Sequence, residues 1–193
     1  MSFKDLASSR KSSRRYKKNV SIPRKDLELC VECARHAPSA CNSQPWNFII
    51  VDDRSKLSRI YDEVISGIYA INSFASDCPA FIAVVSEKAR IPARVGGKLM
   101  GTDFRFIDAG IACAHIILQA EELGIGTCVL GWFNDRRLKK ILSVPASGKI
   151  KLLIALGYSE ENVQRKKPLK DREQTVSFNT YGSDRQESSA GRR

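Results

Sequence analysis

A chain of 193 residues that is 42 % hydrophobic and 27 % charged has the size and balance of one globular domain, with at most a tail. Its longest apolar run, residues 107–120, is interrupted by Asp108, His115 and Gln119 and is too short and too polar to span a bilayer. The six cysteines sit mostly among apolar neighbours, which excludes the dense disulfide framework of a small secreted domain. The net charge of +11 is uneven: residues 1–25 hold nine Lys/Arg against the single acid Asp5, residues 165–193 hold eight against four acids, and the body between them is near neutral. Two basic ends call for an anionic partner, and nucleic acid, a membrane surface and a phosphorylated cofactor all fit that description. The first residues, Met1-Ser2-Phe3-Lys4-Asp5, show no apolar targeting stretch, so a cytoplasmic location is expected.

In chain order, residues 3–8 predict a short helix. Arg10, Ser12 and Arg14 follow at two-residue spacing, which in an extended segment puts two guanidinium groups and a hydroxyl on one face, a donor set suited to phosphate. Ser21 and Pro23 predict a helix opening. Leu27, Cys30, Val31 and Ala34 then form one apolar helix face, which Pro38 ends at about Ala37. Cys30 and Cys33 form a C-x-x-C with His36 beyond it. No second such pair completes four ligands, so buried helix thiols are expected rather than a metal site.

The segment 37–46, Ala-Pro-Ser-Ala-Cys-Asn-Ser-Gln-Pro-Trp, stands out. Two prolines stiffen it, and Ser39, Asn42, Ser43 and Gln44 arm it with short-range hydrogen-bonding side chains. Residues 46–51 are an almost unbroken apolar run, predicting an interior strand covered on both faces. A helix over 55–66 follows, with Leu57, Ile60, Tyr61 and Val64 as its stripe, then a looser stretch through Asn72 and a second buried strand over 79–85. Residues 87–102 read as a loop, a candidate lid.

Residues 104–123 predict the longest helix, buried in the domain centre or at a subunit interface, with partners required for Asp108 and His115. Strands are expected at 127–133 and 150–156, a helix from Asn134 to about Leu142, and a short strand at 175–178. The alternation of helices and strands with long links predicts a two- or three-layer α/β sandwich. No G-x-G-x-x-G or Walker loop follows any strand, so a Rossmann site and a P-loop are not expected.

Four segments, in this order, resemble the nitroreductase family: residues 10–16, residues 37–46, Leu-Gly-Ile-Gly-Thr-Cys-Val-Leu-Gly at 123–131, and Gly157-Tyr158 followed by Arg-Lys-Lys-Pro-Leu at 165–169. The resemblance covers about residues 8–180. It implies an α+β fold, a three-layer α/β/α sandwich with a mixed, mostly antiparallel sheet. It also implies a homodimer with FMN at the subunit interface, a single FMN-binding domain over 1–182 and a flexible tail over 183–193. Carried over by position, Arg10, Lys11, Ser12 and Arg14 serve the FMN phosphate, ribityl chain and ring edge. Pro38, Ser39, Asn42 and Gln44 pack beside the isoalloxazine, largely from the partner subunit. Val129, Leu130 and Gly131 present strand-end backbone to the N5 side, and Arg165 and Lys166 reach the phosphate. Asn72 is a looser match to a ring-contacting asparagine. Many relatives carry a Glu where Gly131 falls.

The resemblance implies an NAD(P)H-dependent flavin oxidoreductase. NADPH or NADH reduces the flavin, and two electrons then pass to a nitroaromatic, quinone or related acceptor in ping-pong fashion. The protein supplies position and electrostatics. Arg14 is the candidate for stabilising the reduced flavin, and no nucleophilic residue or metal is expected. Two alternatives stand beside this: a flavoenzyme of the same fold with another reaction (ene reduction, dehalogenation or oxidation), and a basic nucleic-acid-binding module. Against the latter, only Tyr16 and Phe178 lie near the basic ends as stacking platforms. Cys41 has no assigned role.

Overall fold

The computed structural model describes residues 1–87, 91–160 and 167–183. The chain divides into two units, Met1–Asn162 and Val163–Arg193. The first holds a four-stranded sheet of β1 (Trp46–Val51), β2 (Ala80–Ser86), β3 (Gly126–Leu130) and β4 (Lys149–Gly157), in the order β1-β2-β4-β3. All three strand pairings are antiparallel. Helices α1 (Phe3–Ser9), α2 (Arg24–Arg35), α3 (Arg54–Val64), α4 (Ile91–Leu99), α5 (Phe104–Glu122) and α6 (Asp135–Ile141) complete the unit.

Two apolar cores lie on the two sheet faces. One joins Leu57, Ile60 and Val64 of α3 and Leu138 and Ile141 of α6 to Phe81, Leu153 and Ala155. The other joins Leu27, Cys30 and Ala34 of α2 and Ala109, Ala112, Cys113 and Ile116 of α5 to Ile82, Val84 and Ile154. Alternation along each strand feeds both cores, which makes an α/β/α sandwich. Helix starts follow local chemistry: the Asp53 carboxylate accepts the Lys56 N–H at 3.1 Å, and the Asn134 side chain accepts that of Arg137 at 3.1 Å.

Several expectations are revised. Residues 46–51 do form a strand with apolar contacts on both faces, but β1 is an edge strand, and the fully buried interior strand is β2. An apolar run reports what covers the faces, not how many neighbours pair at the edges. Ser21 does not cap α2; Pro23 occupies the N-cap without a side-chain bond. The looser stretch is a 3-10 run, Gly67–Asp77.

Residues 87–102 are not all loop, since α4 fills most of the span. Gly97 permits its close, because a Cβ there would stand 2.5 Å from the Thr102 carbonyl oxygen. Strand β3 stops at Leu130 because the chain beyond is drawn elsewhere: Asn134 N–H donates to Val64 O (3.1 Å), and the Trp132 carbonyl accepts from the Asn72 amide (2.5 Å). In the second unit, the expected strand at 175–178 is replaced by a helical turn, α7 (Arg172–Thr175). Val176 N–H donates to Arg172 O at 2.8 Å, so the backbone is satisfied locally rather than by a neighbouring strand.

Candidate active site

The basic segment 10–16 lies along the free edge of β3. Ser12 forms a parallel bridge with Thr127, Ser13 N–H donates to Thr127 O at 2.8 Å, and Tyr16 bridges to Ser159. The Tyr16 ring is buried and its hydroxyl donates to Ser13 O at 2.9 Å, folding the segment onto itself. Glycines make this docking possible. A Cβ on Gly126 would stand 2.8 Å from Ser13 Cβ and closer still to its Oγ, and one on Gly157 would stand 2.6 Å from the Tyr16 ring.

Arg10 and Arg14 flank the residues that dock on β3, and their charges reach the strand. Burial pushes the Cys128 thiol up, and the charges of Arg14 and Arg10 both oppose that shift. Arg14 lies 5.8 Å from the Phe74 ring centroid, a cation–π contact that limits where its guanidinium can swing. Ser12 is exposed and Lys11 half-exposed. Further along β3, Val129 is exposed on the face opposite Cys128 and Leu130, which enter the α3/α6 core. Gly131 is exposed, with no atom near the place a side chain would take. One edge therefore assembles two guanidinium groups, a hydroxyl, an apolar strand face and an uncovered glycine backbone. This donor set fits a phosphorylated cofactor with a flat aromatic head.

The polar loop is at the other edge, leading into β1. Its backbone is unusual: Cys41 (φ 53°), Asn42 (φ 48°) and Gln44 (φ 46°) are left-handed. Hydrogen bonds hold this shape, from Gln44 N–H to Ser39 Oγ (2.9 Å), from the Gln44 amide to Asn42 Oδ1 (2.9 Å) and from Asn42 N–H to Ser39 O (2.9 Å). Pro38, Asn42 and Gln44 are exposed and Ser39 is half-exposed. Ala40 N–H donates to Asp108 Oδ1 of α5 at 3.1 Å.

The sheet order keeps the two clusters apart. Residues 38–44 precede one edge strand and residues 10–14 line the other, so three strand spacings, roughly 14 Å, separate the edges. Trp46 lies at the end of the sheet marked by Ser86 and Lys149, whereas Leu130 pairs with Leu153 at mid-sheet, level with Ala83 and Ile49. The chain thus carries two separate polar clusters rather than one closed site. Helix α5 packs on the α2 face of the sheet, its start is tied to the loop through Asp108, and Phe106 (55 % exposed), Ile107 (50 % exposed) and Gly110 point outward.

Arg165 and Lys166 lie outside the described residues. Asn72, the looser match, is buried and holds the Trp132 carbonyl just past β3. Neither histidine joins the clusters: His115 Nδ1 pairs with Ile111 O (2.9 Å), and His36 stands 3.4 Å from Glu32. Cys30 is in the core and the Cys33 thiol donates to Gln119 Oε1 (3.1 Å). Among the described residues no group of three or more His, Cys, Asp or Glu is placed to hold a metal ion, and no helix is long and apolar enough to cross a membrane. The sequence requires only that Asp108 find a partner. Its place beneath the loop was missed, since nothing local to residues 104–123 says which loop packs there.

Fold and site together define an α+β sandwich with a basic segment bound to one sheet edge and a strained polar loop at the other. The nitroreductase family profile matches residues 7–72 and 69–158, and the chain belongs to that family. It is an oxidoreductase of the nitroreductase type. Among its relatives is an iodotyrosine deiodinase of Thermotoga neapolitana, 25 % identical over 92 % of this chain and 97 % of its own length. Another is an NADH dehydrogenase of Thermus thermophilus, 27 % identical over 82 % of this chain and 87 % of its own. Among solved structures, an FMN-dependent nitroreductase from Clostridium difficile R20291 superposes with a TM-score of 0.70 at 26 % identity, covering 91 % of this chain and 98 % of that one.

Proposed function

We propose that the chain is an FMN-dependent oxidoreductase that draws on NADH or NADPH and works as a homodimer with two equivalent sites. The observation that carries this reading is the split of the candidate site between opposite sheet edges in a chain of this family. A second copy, packed against the uncovered face of α5, would bring its loop to the first copy's basic edge. The FMN-dependent nitroreductase among the solved structures supports the choice of cofactor.

In this reading Arg10, Lys11, Ser12 and Arg14 hold the phosphate and ribityl end. Val129, Leu130 and Gly131 give the ring an apolar strand face and backbone groups at its reactive edge. Pro38, Ser39, Asn42 and Gln44 of the other copy close over it and limit water. Arg14, held beside Phe74, places positive charge where reduction adds negative charge. When bound, FMN would accept a hydride from the nicotinamide and pass two electrons to a nitroaromatic, quinone or related acceptor in ping-pong order. Deiodination is a second acceptor chemistry, favoured by the likeness to iodotyrosine deiodinase over most of both chains.

The test is to purify the protein, add FMN, and follow the visible flavin band on anaerobic addition of NADH or NADPH. Bleaching, reversed by a nitroaromatic, a quinone or an iodinated phenol, is the expected result. A protein that takes up no FMN contradicts the proposal, and the acceptor that reverses bleaching fastest decides between the two chemistries.

A further inference from the structure

The strained loop must be held in shape and also held in place, and different groups do the two jobs. Its shape comes from bonds within residues 39–46: Ser39 to Gln44, Asn42 to Gln44, and Trp46 N–H to Gln44 O at 2.8 Å. None of these fixes the loop against the helix whose uncovered face carries Phe106 and Ile107. That link is the bond from Ala40 N–H to Asp108 Oδ1, 3.1 Å, made immediately before the first left-handed residue, Cys41. Asp108 sits in the second turn of α5, next in sequence to Ile107, and is 97 % buried by its 3 % exposure. Its other oxygen, Oδ2, is buried without a hydrogen-bond partner among the described residues. A buried carboxyl with one oxygen unpaired is costly, and such a group persists where its position matters. Burial is also what raises its pKa, against the lowering by the Ala40 N–H.

We propose that Asp108 is a positioning residue that locks the loop 39–44 to α5, so that the loop meets the cofactor of the opposite copy in the correct place. This rests on the two-copy reading above, because it makes the loop serve a site it does not share with its own β3. The side chain touches neither cofactor nor acceptor in this account. It acts through Ala40, and through Ala40 on Asn42 and Gln44.

The test compares Asp108→Ala with Asp108→Asn, which keeps an oxygen able to accept the Ala40 N–H. Two readouts are taken on the full chain: FMN affinity by flavin fluorescence, and the labelling rate of the exposed thiol Cys41 in protein stripped of flavin. Expected are an FMN Kd raised about tenfold or more in Asp108→Ala, with Asp108→Asn staying within about threefold of the parent. Cys41 labelling should be faster in Asp108→Ala and near parental in Asp108→Asn, with circular dichroism unchanged in both. Parental FMN affinity and parental Cys41 labelling in Asp108→Ala would overturn the proposal, as would an Asn variant as damaged as the Ala variant. If the parent chain itself binds no FMN, the two-copy cofactor reading fails, while the labelling arm still decides whether Asp108 holds the loop. Should Asp108→Ala not fold, an Asp108→Asn variant with lost FMN affinity or accelerated labelling overturns the proposal, and one that keeps both supports it.

Discussion

Cys41 is the exposed thiol of the six; Cys30, Cys78, Cys113 and Cys128 are buried, and Cys33 is partly covered. Burial pushes the Cys30 and Cys78 thiols up to about 12 and that of Cys113 up to about 11, so they stay protonated and unreactive near neutral pH. A thiol reagent under native conditions should therefore modify one cysteine quickly, identified as Cys41 by mass spectrometry, and FMN should slow that reaction if the loop closes over it. Asp108 gives a pH signature at the same scale. Its folded pKa is raised above the unfolded value, so the stability it contributes is complete below the unfolded carboxyl pKa and is lost as pH rises through the folded value. Asp108→Asn has no such titration, and denaturant melts should show it gaining stability relative to the parent as pH climbs from acid to neutral. Gly126→Ala is expected to push Ser13 off β3, carrying Ser12 and Arg14 with it. Faster FMN loss on dialysis, with the far-ultraviolet spectrum retained, is the outcome that checks it.

At the scale of elements, stability rests on helix stripes against the sheet. Ile116 of α5 and Leu153 of β4 are fully buried, one in each core. Truncating either to Ala should cost about 3 kcal/mol in chemical denaturation, whereas Asp53→Ala at the start of α3 should cost less. The stripes were legible in the sequence: α2, α3, α5, β2 and β4 fall where periodicity put them, within a residue or two. What was not legible depends on neighbours far along the chain. The edge position of β1 follows from the sheet order, which periodicity does not report. Strand β3 ends early because Asn72 and Val64 capture the backbone beyond it. Helix α4 was obscured by Gly96, Gly97 and Gly101, residues that read as loop until the close approach at Gly97 is seen. The candidate site was read by motif, and the motifs proved to sit on opposite edges of one sheet. Its hidden support, Asp108, came only from three dimensions.

For the whole molecule, the proposed two-copy site makes association a condition of cofactor binding. The uncovered apolar face of α5 is where a second copy would pack, so Phe106→Glu together with Ile107→Glu should shift the protein to monomer by light scattering and abolish FMN retention in the same step. In the proposed function, Arg10 and Arg14 beside β3 serve as counter-charge to one phosphate per site rather than to nucleic acid. The most direct test pairs two damaged copies. One carries Arg10→Ala and Arg14→Ala, the other Asn42→Ala and Gln44→Ala, and neither should retain FMN alone. Purified mixed dimers should recover one intact site, read as one FMN for every two chains. Mixed dimers that remain free of FMN, or single-type variants that bind it as the parent does, would contradict a site built from two copies.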